Sequence, residues 1–288
     1  MRRIVLAAAA LMASRGLSMA AFRASDQLVL VGVARIAGAA GSSWVTDLTI
    51  YNPGNSPAVA DLAFLPTGGG DNGAALSSLV AVGPLNPGES LVLDDVLATK
   101  FGLASASGAM LIFGSDSRTP ALIAPLIATA RVYDLTSTGT HGLSEFGLPY
   151  YDEANVSAGA VGADAHILVG LEQDDVFRSN VGVWNGSDPS TSIVVRIDFF
   201  DARGLAVGSR SVTLAPLGHV QLNAVLADLP VSGRGFSARA TLASFTSTES
   251  GARPYFFAYG AVIDNRTNDP IFVEPAYAGV EPVDCIFR

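Results

Sequence analysis

His141, His166 and His219 are the side chains of this 288-residue chain best suited to acid–base or metal chemistry near neutral pH. No two of them stand at the His-Glu-x-x-His or any other metal-ligand spacing. They read as solvated side chains on three separate loops: His141 in a polar turn, His166 at the start of a second repeat, His219 at a solvent-leaning turn position. No serine occupies the Gly-x-Ser-x-Gly turn that exposes a hydrolase nucleophile. A triad assembled from distant residues needs no such motif, so a hydrolase stays as the third functional reading. Thr67-Gly68-Gly69-Gly70-Asp71-Asn72-Gly73 has the glycines of a phosphate loop but lacks its Gly-Lys-Ser/Thr ending. It reads as a flexible hairpin loop.

Calcium is the one cofactor that the loops suit, because hard cations collect carboxylate and amide oxygens. Asp71 with Asn72, Asp94 with Asp95, and Asp174 with Asp175 are candidate pairs, and the turn carrying Asp264, Asn265 and Asp269 is the richest in oxygen ligands. None forms Asp-x-Asp-x-Asp-Gly, and acidic loops are ordinarily just solvated. Tyr51 and Trp184 are the candidate ligand-binding residues. Strand alternation places both on the face opposite the core, where they could stack on sugar rings or anchor a contact between two repeats. The second use is the commoner fate of such residues.

These positions depend on strands. In residues 44–52, Trp44, Leu48 and Ile50 share one face while Asp47 and Thr49 share the other, the period of a half-buried antiparallel strand. Residues 177–185 repeat the phase, with Phe177, Val181 and Val183 in the apolar positions. Turn clusters follow both, Asn52-Pro53-Gly54-Asn55-Ser56-Pro57 and Asn185-Gly186-Ser187-Asp188-Pro189. Next come strands with inner sets Ala60, Leu62, Phe64 and Ile193, Val195, Ile197, Phe199. Each half then has a Leu-x-Pro turn, a short strand, and a brief helical turn capped by Asp or Asn.

Residues 85–97 return as residues 214–226 at a shift of 129, with Leu85/Leu214, Pro87/Pro216, Leu93/Leu222, Val96/Val225 and Leu97/Leu226 identical. A repeat of this length is the mark of an internal duplication. Short strands, regular turns and no long amphipathic helix predict an all-β chain of two tandem antiparallel β-sandwiches. The expected plan is a signal peptide at 1–20, a first sandwich at 27–150, a linker at 151–163, a second sandwich at 164–279 and a tail at 280–288. On the 44–52 strand with its Asn-Pro-Gly turn and on the Leu-x-Pro turns, the chain resembles the tandem immunoglobulin-like repeats of secreted or surface-attached bacterial proteins. The antibody Cys…Trp…Cys core is absent, since Cys285 is the only cysteine.

Arg2 and Arg3, the apolar run from Ile4 to Ala13, and Ser18-Met19-Ala20 predict a signal peptide cleaved before Ala21. Cleavage removes three arginines and no acid, taking the formal net charge from −9 to −12. Such a surface repels phosphate backbones and anionic lipids, which argues against nucleic-acid partners and membrane-surface binding. The expectation is therefore an exported, non-catalytic structural or adhesive protein, free of the membrane after cleavage. Its partner would be an extracellular or envelope protein or a polysaccharide. A carbohydrate-binding module is the alternative.

Overall fold

A computed structural model describes residues 23–38, 41–136, 139–150, 154–155 and 165–278. The signal peptide, most of the 151–163 linker and the tail with Cys285 lie outside the described residues. The chain is all-β and antiparallel. Its first half holds β1 (Gln27–Ala37), β2 (Ser43–Tyr51), β3 (Ala58–Pro66), β4 (Val80–Leu85), β5 (Ser90–Leu93), the single helical turn α1 (Val96–Thr99), β6 (Ala106–Asp116), β7 (Ile127–Thr136), β8 (Gly139–Phe146) and β9 (Leu148–Pro149). After β10 (Ala154–Asn155), the second half holds β11 (Ala165–Gln173), β12 (Phe177–Asn185), β13 (Thr191–Phe200), β14 (Ala206–Leu214), β15 (His219–Leu222), β16 (Gly233–Ser247), β17 (Tyr255–Asp264), β18 (Pro270–Val273) and β19 (Ala276–Ala278).

In the first half, β4-β3-β6-β1-β9 form sheet I and β5-β2-β7-β8 form sheet II, joined where Ile36 and Ala37 pair with Trp44 and Ser43. In the second half, β15-β12-β17 form sheet III, with β10 and β18 on the far edge of β17, and β14-β13-β16-β11-β19 form sheet IV. Apart from β10 and the β1–β2 join, the strand order of each half matches the other. It is not the ABED order of an immunoglobulin sheet: β1 lies beside β6, and meets β2 only at the joining hairpin. Alternation specifies which face of a strand is apolar and leaves the pairing order open, so the immunoglobulin expectation finds no match in this order.

Matching contacts run through the turns. Asn52 donates to the carbonyls of Ser56 and Leu85, and Asn185 to those of Thr191 and Ala215. The amide of Asp95 donates to Asp47 and that of Ala224 to Asn180, with Asp95 and Ala224 both at positive φ. At the expected cap of the first half, Asp95 makes no side-chain cap bond and instead gives its amide to Asp47 on the neighbouring strand. In the second half the corresponding segment is a turn without a helix.

Three cores hold the layers in the order II–I–III–IV. Leu28, Leu48, Ile50, Leu62, Ile112 and their neighbours fill the first sandwich. Val181, Val183, Ile193, Val195, Ile197 and Phe199 belong to the core of the second. The third core lies between the halves: Val29, Val31, Ala63, Leu65, Ala109 and Leu111 from the outer face of sheet I meet Trp184, Phe257 and Tyr259 from the outer face of sheet III. Strands β1 and β6 are therefore apolar on both faces, whereas β13 in the outer layer alternates.

The Gly-rich segment is not loose. Gly68 and Gly69 donate to the His219 carbonyl at 2.8 Å, and Ala215 donates to the Gly69 carbonyl. Asn72 reaches Leu217 with both its amide groups nearby: the backbone N–H goes to Pro216 and the side chain to Leu217 and Pro66. A loop expected to be flexible is a clasp on the second half.

Candidate functional site

The outer face of sheet III carries every second residue of its strands. On β12 these are Arg178, Asn180, Gly182 and Trp184, and the register sets Ile263, Ala261, Tyr259 and Phe257 of β17 beside them. One end of that face, at Trp184 and Phe257, is sealed against sheet I. The other end opens into a cleft of about 660 Å³, a size suited to a small ligand. Its second-half wall includes Arg178, Asn180, His219, Gln221, Asn223, Tyr259, Asn268 and Phe272. Its first-half wall includes Gly32, Ile36, Trp44, Thr67, Ser107 and Leu143.

Tyr259 organises the floor. Its ring stacks on Phe272 on one side and on His219 on the other, at 19° and 10° between planes. Gly182 is needed beneath it, because a Cβ there would lie 2.0 Å from the tyrosine ring. The Tyr259 hydroxyl donates to Gln221 Oε1 at 3.0 Å and lies 3.2 Å from His219 Nε2. Its single proton being committed to Gln221, it accepts from His219, which is then the Nε2–H tautomer. Burial holds the His219 ring down at about 4, against an upward pull from the Val31 backbone. The ring is thus neutral near pH 7. Gln221 continues the chain to Asn223 Oδ1 at 2.8 Å.

Glu145 lies behind the cleft wall, fully buried, with no residue of its own among the lining. A register shift in β1 between Leu30 and Val33 turns the Gly32 amide out of the ladder toward it, at 3.1 Å from Oε2. Burial pushes its carboxyl up to about 8, while the Gly32 and Val31 amides pull it down. The neighbouring Tyr259 hydroxyl is raised too, first by burial and then by Glu145.

Trp184 is fully buried, stacked on Phe257 at 5.7 Å with Tyr150 against its edge. It is an anchor between the halves and is closed to a sugar. Tyr51, its counterpart on β2, is 36% exposed because nothing covers the outer face of sheet II among the described residues. Neither lines the cleft. The Asp264 carboxylate accepts the amides of Arg266 and Thr267, Asn265 Oδ1 accepts from Arg178, and Asp269 donates its amide to Thr267. Among the described residues no three His, Cys, Asp or Glu side chains gather as a metal group.

All three histidines are corrected from loop to strand. His166 is buried on β11, accepting the Ala258 amide at Nδ1, and His219 is buried on β15; His141 alone is exposed, on β8. Among the described residues the cleft lining contains His219 and Ser107 but no carboxylate. Sequence reasoning missed Arg178, Asn180, Gln221 and Asn223, although their alternation with Val181, Val183 and Leu222 is a readable polar stripe.

No family model and no curated protein matches the chain. Among solved structures it is similar to the apo form of the Pleurotus ostreatus lectin, at 12% identity over 88% of this chain and 76% of that one, with a TM-score of 0.20. The lectin from Pleurotus ostreatus in complex with GalNAc matches at 12% identity over 91% and 80%, with a TM-score of 0.19. At such scores the likeness carries no weight for fold or ligand.

Proposed function

We propose that this chain is an exported, non-catalytic binding protein that holds a saccharide in the cleft between two duplicated β-sandwiches. The observation that carries the reading is the cleft lining: amide side chains at Asn180, Gln221, Asn223 and Asn268 beside the rings of Trp44 and Phe272. Amides offer a donor and an acceptor to adjacent hydroxyls, and a ring face accepts the electropositive C–H edge of a pyranose. A protein partner would want a broader and flatter surface than this recess. Duplication is supported by the matching strand order and by the paired hydrogen bonds of Asn52 and Asn185. Export rests on the arginine-led apolar run that ends at Ala20.

The test is binding of the chain from Ala21 onward to immobilised glycans and polysaccharides, followed by calorimetry on the best ligand. Trp44→Ala and Asn223→Ala are each expected to weaken binding about tenfold, roughly the worth of one good contact, and Tyr51→Ala to leave it unchanged. Binding to no saccharide, or binding lost on Tyr51→Ala and kept in the other two variants, would sink the proposal.

A further inference from the structure

We infer that the cleft selects a saccharide carrying a carboxylate, and that Arg178 is the residue that selects it. The inference rests on the saccharide reading above and adds the charge of the ligand. The whole chain carries 26 acidic residues against 17 basic ones, yet among the described residues no aspartate or glutamate lines the cleft, and Arg178 is its one permanent cation. Arg35, Arg196, Arg203, Arg210 and Arg234 each pair with a carboxylate. Arg178 does not. Its guanidinium is held by two neutral acceptors, Asn265 Oδ1 at 2.7 Å and Asn268 Oδ1 at 3.1 Å.

Those two bonds hold the group in place without neutralising it. A guanidinium has five N–H donors in a planar fork that matches the two oxygens of a carboxylate, so donors remain for a ligand. The surrounding Asn180, Asn268 and Gln221 amides add no opposing charge. Asp264 and Asp269 flank the same turn but neither lines the cleft nor pairs with Arg178. Glu145, behind the wall, is proton-bearing below about pH 8 and does not repel an anion there. In a chain whose surface otherwise turns anions away, this recess is the place where one is accepted.

Calorimetry at pH 7 with a galacturonate oligomer, its methyl ester and the corresponding neutral galactose oligomer tests this. The native chain is expected to bind the acid form roughly ten- to a hundredfold tighter than either uncharged form, the gain of a charge-assisted bidentate contact. Arg178→Gln is expected to erase that preference, the affinity for the acid form falling to that for the ester in the same variant. Arg178→Lys keeps the charge without the fork, and is expected to keep a reduced preference. A far-ultraviolet circular dichroism spectrum and urea midpoint matching the native chain show that Arg178→Gln is folded. Equal affinity for acid and ester, or a preference that survives Arg178→Gln, overturns the inference and leaves the saccharide reading standing. Failure of all three oligomers in a chain that also binds nothing on the glycan arrays overturns both.

Discussion

Glu145 and His219 are two buried titratable groups whose shifts oppose each other. The native carboxyl keeps its proton up to about pH 8, against 4.5 for an unperturbed glutamate, so rising pH removes a proton from the unfolded chain first. Stability therefore falls as pH climbs from 4.5 to 8. His219 works the other way: its native value of about 4 against 6.5 means that stability is present above pH 6.5 and is lost as pH falls toward 4. The two slopes roughly cancel between 4.5 and 6.5, and from 6.5 to 8 only the glutamate slope remains. Urea unfolding is expected to show a plateau and then a loss on the order of 2 kcal/mol across that upper window. Glu145→Gln keeps an oxygen for the Gly32 amide and removes the titration. It should flatten the upper limb, and a variant that still declines there would show that another group is responsible.

At the scale of elements, two features were present in the sequence but carried a different meaning. Residues such as Leu28-Val29-Leu30-Val31 and Ala109-Met110-Leu111-Ile112 are continuously apolar, while β13 alternates. A continuous run marks a strand buried on both faces, and it belongs to the inner layers of the stack. The Gly-rich clasp is the second. Its glycines suggest looseness, but Asn72 spans from its own strand end to Leu217 with two 3.0 Å bonds. Asn72→Ala leaves the Pro66 and Leu217 carbonyls without that donor and is expected to cost about 1–3 kcal/mol in urea unfolding. Asp71→Ala, at an exposed position beside it, should stay within about 0.5 kcal/mol. Equal effects would mean that the loop does not bind the halves together.

For the whole molecule, the third core decides how the halves behave. Two sandwiches joined only by a linker would unfold separately. Here Trp184, Phe257 and Tyr259 are buried against sheet I, so each half completes the other's outer face. One cooperative transition is expected, with tryptophan fluorescence and far-ultraviolet circular dichroism coincident. Trp184→Ala should lower stability by about 3–5 kcal/mol and separate the two transitions. Native unfolding in two well-resolved steps would contradict a shared core.

The strands at 44–52, 177–185 and 193–200, the turns that follow the first two, their apolar faces and the residue match of 85–97 with 214–226 were legible in the sequence by itself. All follow from local periodicity and turn chemistry, which act over a few residues. The tertiary structure alone decided what lay on the opposite faces. Tyr51 and Trp184 hold the same place in their strands, yet one meets solvent and the other is sealed. His219 looks like a turn residue and is buried because a loop 150 residues earlier closes over it. The cleft, with Arg178 and its amides, arises only where sheet III leaves the edge of sheet I. That geometry comes from packing between segments far apart in the chain, and no periodicity within either half encodes it.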